Sequence, residues 1–273
     1  MLGGTVVFAA AQAAHAALGV RFAGALPSYH EYVDPVLLRT RLLESLTFLP
    51  SQPPVFNLFL GLVLKAFPAA HLVVLEIVYR ALGLGLFLLL LALMRRVGVS
   101  TALALALGTV FVAAPAFVLY ECQPFYMLPL AFLLTASVAL GAAAARRPAG
   151  PWLVAFFAAV VLLALTHALF HLVYVLLAGL ALVAAGVRLR RAARAAAAPL
   201  GILVAVYLKN ALLFGTLTLS AWTGMHLWDM TVGLLPEGEA RRLVAEGRLS
   251  PVALDPQFSD PERYPPEMFA SNP

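Results

Sequence analysis

Apolar positions in this chain fall in long uninterrupted runs rather than in the broken stripes of a soluble fold. Leu, Ala, Val and Phe dominate residues 3–20, 71–94, 101–120, 125–145, 151–169, 171–187 and 196–214. Each run comes close to the ~20 apolar residues that a helix needs to cross the hydrocarbon core. The stretch 151–187 is too long for one crossing and divides at its polar break, Thr166-His167 to His171. The pattern therefore predicts an all-α, polytopic transmembrane protein with about seven spans. The first run has no basic residue ahead of it, which favours a first span over a cleaved signal peptide.

Two stretches between the first and second runs carry a different pattern. From Pro35 to about residue 49, Leu38, Leu42, Leu46 and Leu49 form one stripe opposite Arg41, Glu44 and Ser45. Asp34 before Pro35 reads as the N-cap, with proline at the first helical position. Residues 55–67 are apolar but short for a span, and they include Asn57 and Lys65. Both stretches read as helices lying in the interface. The chain then divides into a transmembrane unit, 1–214, and a tail, 215–273, rich in Pro, Asp and Glu. That tail has no closing element, so the sequence reads as the N-terminal part of a longer protein.

The arginines orient the spans. Arg95 and Arg96, Arg146 and Arg147, and Arg188, Arg190, Arg191 and Arg194 follow three of the runs, with no carboxylate beside them. Alternation puts all three clusters on one side, which the positive-inside rule identifies as the cytoplasm. The segment 21–54, the turns at 121–124 and near His167, and the tail then face outward.

Composition agrees. The chain is 63% hydrophobic and only 11% charged, against about half and about a quarter in a soluble domain. Its net charge of +5 sits in short clusters between apolar runs, so it reports topology and not a nucleic-acid surface. The single cysteine, Cys122, excludes an intrachain disulfide. Heavy use of Ala, Leu and Arg points to a GC-rich bacterium and hence to its inner membrane.

Chemistry-bearing residues cluster on the outer side. Tyr29-His30-Glu31-Tyr32-Val33-Asp34 offers two carboxylates and an imidazole close to the membrane, suited to a general base or a metal site. The plainer reading makes Asp34 a helix cap and Glu31 a solvated acid. Glu121 stands alone between two charge-free runs, where a solvated loop acid is the default. His167 and His171, at i and i+4, can share a helix face, but two histidines are few for zinc. Lys209-Asn210 lies near the outer end of the last span, where the lysine either snorkels or meets a lipid phosphate. Glu76 and Arg80 share one face of a span and can neutralise each other, or Arg80 can hold an anion.

Taken together, the acidic loop after the first span, Gln52-Pro53-Pro54-Val55-Phe56-Asn57-Leu58-Phe59-Leu60-Gly61 and Arg80 resemble the GT-C class of glycosyltransferases. More narrowly they resemble the polyprenyl-phosphate-sugar-dependent branch that includes protein O-mannosyltransferases and lipid A aminoarabinose transferases. The resemblance covers the N-terminal half of a usual member. It departs in having Gln52 where a basic residue or histidine often stands, and in separating Glu31 from Asp34. It implies inverting transfer of a sugar from a polyprenyl-phosphate donor to a lipid, glycan or protein acceptor at the extracytoplasmic face. Asp34 or Glu31 would take the acceptor's proton. Lys209, Arg80 or a divalent metal held partly by Glu121 would neutralise the leaving phosphate, with His167, His171, Gln52 and Asn210 lining the site. The rival classes are a transporter or lipid flippase, which would also need buried charges such as Glu76 and Arg80, and a non-catalytic membrane subunit.

Overall fold

A computed structural model describes residues 2–26, 31–148 and 150–254. The described residues contain helices and no strands. The first unit comprises α1 (Leu2–Ala17), α2 (Pro35–Thr40), α3 (Leu42–Thr47), α4 (Val55–Ala66), α5 (His71–Arg96), α6 (Thr101–Ala113) and α7 (Pro115–Cys122). It continues through α8 (Met127–Arg146), α9 (Gly150–Thr166), α10 (Leu172–Ala184) and α11 (Leu189–Phe214). Two smaller helices, α12 (Trp222–Asp229) and α13 (Glu237–Ala245), follow.

Local chemistry sets the boundaries. Asp34 Oδ1 accepts from the Val36 N–H at 2.7 Å and Pro35 opens α2, as the sequence predicted. Ser100 caps α6 through the Leu103 N–H at 3.2 Å. Gly98 closes the turn before it at φ +90°, a conformation that other residues adopt only under strain. Pro115 ends the hydrogen-bond ladder of α6, and the chain bends 59° into α7. Gly215 ends α11 in the left-handed region at φ +68°.

Three helices, α5, α8 and α11, are long and apolar enough to cross a membrane, and the bent pair α6–α7 makes a fourth when taken as one span. The apolar runs had predicted about seven. The shortfall lies in α1, α9 and α10, which fold as apolar helices of 16, 17 and 13 residues. The single helix expected over 35–49 is also corrected. Arg41, at φ −130° and ψ 41°, breaks it into α2 and α3. Its stripe survives the break: Leu38, Leu42 and Leu49 are buried while Arg41 and Glu44 are exposed and paired at 3.7 Å. The helix expected over 55–67 is observed as α4.

Packing forms two adjoining cores. In one, Leu75, Tyr79 and Phe87 of α5 meet Phe8 of α1, Val112 of α6, Phe117 of α7 and the buried face of α4. Small residues allow that approach: a Cβ at Gly108 would lie 2.5 Å from the Phe87 ring, and one at Gly4 would lie 2.8 Å from Leu91. In the other core α9 is the central element, burying Leu153, Val160, Val161 and Ala164 against α8, α10 and α11.

The basic turns share one end of the bundle. Arg96, Arg146, Arg147 and Trp152 surround one groove, and Pro148, Gly150, Arg191 and Arg194 surround another. Helix α9 starts at this end. It finishes at Thr166, where His167 meets Tyr126.

Candidate functional site

The site is built on the first turn of α4. Pro53 and Pro54 lack N–H groups, so the helix opens without spending backbone donors. That turn presents Asn57, which is fully buried. Its Oδ1 accepts from the Val33 N–H and its Nδ2 donates to the Glu31 carbonyl, both at 3.0 Å. Gln52 Nε2 donates to the same carbonyl at 2.5 Å. Two side-chain amides thus clamp the backbone that carries Glu31. Tyr32 adds a third tie: its ring stacks on Phe56 with centroids 5.8 Å apart, and its hydroxyl donates to the Pro124 carbonyl.

Against this loop stand Tyr126 and His167, with ring centroids 4.9 Å apart. Burial pushes the His167 imidazole below its usual value. Glu31 opposes that shift, and His226 of α12 acts in the same direction as burial. His167 Nδ1 accepts from the Leu169 N–H at 3.1 Å, a role open only to an unprotonated nitrogen. The accepting Nδ1 leaves a neutral imidazole at Tyr126 and near the half-buried Glu31.

Several expected site residues have other occupations. Asp34 is exposed and caps α2. His171 caps α10 through the Val173 N–H at 3.3 Å. The two histidines do not share the face of a continuous helix, because both have extended backbones on either side of the short 3-10 turn Ala168–Phe170. Lys209 Nζ points at the last carbonyls of α3 and the turn after it: Leu46 at 3.3 Å, Thr47 at 3.0 Å and Leu49 at 3.4 Å. An ammonium has three N–H donors, and these carbonyls use them. Asn210 is buried, donates to the Thr218 carbonyl at 2.7 Å and shapes the turn after α11. That turn then docks on the α3–α4 connection, where the Ala221 N–H donates to the Pro50 carbonyl at 2.8 Å.

Glu121 requires the largest correction. It is not a loop acid: it lies in the last turn of α7 and is fully buried. Its Oε2 accepts from Gln12 Nε2 at 2.6 Å and from Arg80 Nη1 at 3.0 Å. Arg80 also donates to Gln12 Oε1 and lies 3.4 Å from Glu76. The expected Glu76–Arg80 pair is therefore one edge of a four-residue network. Among the described residues Glu121 Oε1 has no hydrogen-bond partner, and it lies against Gly83, where any Cβ would collide with it. Arg80 and Gln12 both hold Glu121 Oε2, so the carboxylate serves the guanidinium network. Among the described residues no group of three His, Cys, Asp or Glu could hold a metal ion.

The structure thus gathers Glu31, Gln52 and His167 and leaves Asp34, His171, Lys209, Asn210, Arg80 and Glu121 outside that group. Tyr29 and His30 lie outside the described residues. Sequence reasoning missed Asn57, Tyr126 and His226 as members of the site. The signal for Asn57 was available, since it is the one amide in a helix whose other polar side chain is the terminal Lys65. Comparison with protein-family models, curated proteins and solved structures finds no match to this chain.

Proposed function

We propose that the protein is a membrane glycosyltransferase that moves a sugar from a polyprenyl-phosphate donor to an acceptor at the outer face of a bacterial inner membrane. The observation that carries this reading is the clamped Glu31 loop: a backbone held by Gln52 and Asn57 carries the Glu31 carboxyl group near an imidazole whose Nδ1 accepts a hydrogen bond. A general base needs a defined position and an unprotonated form, and the clamp supplies the first. In this reading the apolar runs cross the membrane about seven times, with α2–α4 along the outer interface. The site then lies at the end opposite the arginines, consistent with the positive-inside rule.

In the proposed reaction the acceptor oxygen or nitrogen attacks the anomeric carbon as the bond from that carbon to the donor phosphate breaks. Configuration inverts, Glu31 takes the acceptor's proton, and the phosphate leaves with the bonding pair. His167, held neutral by burial and by its capping role, can accept a hydrogen bond only through its Nδ1, which is engaged; its Nε2–H donates to substrate. With Lys209 and Arg80 occupied, Arg21 is the favoured cation for the phosphate. It sits at a groove of about 750 Å³ between the end of α1 and the bend of α6–α7, lined also by Leu18, Pro115, Leu119 and Gln123. Among the described residues its Nη1 reaches the Ala16 and Val20 carbonyls, at 3.2 and 3.4 Å, which leaves guanidinium donors for a phosphate. The groove adjoins the site through Gln123 and Pro124, the latter holding Tyr32.

The test is sugar transfer by purified protein given a polyprenyl-phosphate sugar. Glu31→Gln should lose a factor of about 10²–10⁴ in turnover, whereas Asp34→Asn should retain turnover within a few fold. Equal activity in Glu31→Gln and wild type would remove the base from the mechanism.

A second reading, a transporter or flippase, draws on the Gln12–Glu76–Arg80–Glu121 network around the buried Glu121, since ionisable groups among spanning helices often mark a pathway. Substrate flux in proteoliposomes that disappears in Glu121→Gln, with no transferase activity in wild type, would favour it.

A further inference from the structure

The end of the bundle opposite the Glu31 loop carries a feature that sugar transfer does not use. Between α5, α8 and α9 lies a groove of about 600 Å³. Its walls are Leu89, Phe132, Ala139 and Ala143, and its rim carries Arg96, Arg146 and Arg147. The recess exists because α8 presents alanines there, where any larger side chain would fill the space between the helices.

Charge and depth identify an occupant. Three guanidiniums stand around one opening, and the three basic turns at this end contain no Asp or Glu. Arg96 reaches across to α8, with Nη1 3.4 Å from the Ala139 carbonyl, so its head is held at the side of the recess. The remaining guanidinium donors suit the oxygens of a phosphodiester. Trp152, 43% exposed at the start of α9, stands on the same rim. Tryptophan prefers the headgroup level of a bilayer, which places the arginines at phosphate depth and the recess below them among acyl chains. From Ala143 back to Ala136 the recess runs for two helical turns, about 10 Å, within the ~15 Å of one leaflet.

We propose that this groove binds one anionic phospholipid of the surrounding leaflet, with its phosphate among Arg96, Arg146 and Arg147 and one acyl chain along Ala139 and Ala143. Anionic lipids favour basic pockets between transmembrane helices on the face where arginines accumulate. The site needs no sugar-transfer activity and stands whether or not Glu31 is a base.

Native mass spectrometry of the intact detergent-solubilised chain, titrated with palmitoyl-oleoyl phosphatidylglycerol or phosphatidylcholine, tests it. Wild type should retain phosphatidylglycerol at least tenfold more tightly than phosphatidylcholine. R96Q/R146Q/R147Q should abolish that preference. R191Q/R194Q, which removes positive charge from the neighbouring groove, should leave it intact. Ala143→Leu keeps every arginine but fills the recess, and should weaken phosphatidylglycerol binding at least tenfold. The proposal is overturned by equal binding of the two lipids to wild type, or by a preference that survives the triple substitution. An equal loss in R191Q/R194Q, or unchanged binding in Ala143→Leu, overturns it as well.

Discussion

Replacing Arg80 by methionine removes the one cation that, among the described residues, touches the buried Glu121. The side chain of Glu121 is 0% exposed and that of Arg80 is 26% exposed, so water cannot take the guanidinium's place on the carboxylate. After the substitution Glu121 Oε2 keeps one neutral donor, Gln12 at 2.6 Å, and Oε1 still has none. Breaking a buried pair from one side costs about 3–5 kcal/mol, because an uncompensated charge is left behind. Replacing both partners by apolar groups of similar size is far less damaging and can be neutral. Arg80→Met should therefore destabilise by about 3–5 kcal/mol. Adding Glu121→Leu should recover most of that loss, a coupling of at least about 2 kcal/mol in the double-mutant cycle. The assay is reversible unfolding in mixed micelles at fixed lipid composition, with both single variants and the double variant run together. Additive losses, or a loss below about 1 kcal/mol in Arg80→Met, would refute the burial argument and return Arg80 to the role of a free anion-binding cation.

Other outcomes follow from the same geometry. Asn57→Leu leaves the Val33 N–H unpaired and the Glu31 carbonyl with only Gln52. Transfer should fall at least tenfold with about 1–3 kcal/mol lost in stability, read by turnover and unfolding together; unchanged turnover would show the clamp is not needed. Because burial lowers the His167 pKa, the unfolded chain binds that proton more readily than the folded one. Its contribution to stability is complete above about pH 6.5 and declines as pH falls toward the folded value. His167→Asn should flatten the melting temperature between pH 7 and 5, and an identical slope in the two proteins would contradict this. Lys209→Met strips the cap from α3 and should cost about 1.5–3 kcal/mol while leaving donor KM unchanged; an unchanged melting temperature with a raised KM would restore Lys209 as a phosphate ligand.

The elements whose pattern is local were legible from sequence. Asp34-Pro35 marked a helix start, the Leu38–Leu42–Leu49 stripe marked a buried face, and three of the long runs became helices fit to span. The break at Arg41 was not legible, because it depends on how α2 and α3 seat against α4 rather than on helix propensity. Glu121 was misplaced for a related reason. A lone acid after an apolar run looks like a loop residue until a bend at Pro115 turns α7 inward, toward Arg80 and Gln12. Gln12 itself was one polar residue in a run counted as apolar, and only packing against α5 reveals its partner. Lys209 shows the general limit: its three acceptors lie about 160 residues away in sequence, and spacing within one helix carries no trace of them. The clamp on Glu31 joins residues 21 and 26 positions apart, near enough for the motif to suggest a site but not to choose between Glu31 and Asp34.

The most direct measurement is an experimental structure of the protein with a polyprenyl-phosphate sugar bound. The account predicts the phosphate at Arg21, the lipid chain in the groove along Leu18 and Leu119, and the anomeric carbon facing Glu31, Tyr126 and His167. A donor phosphate bound instead among Arg96, Arg146 and Arg147, or a sugar out of reach of the Glu31 carboxylate, would contradict it.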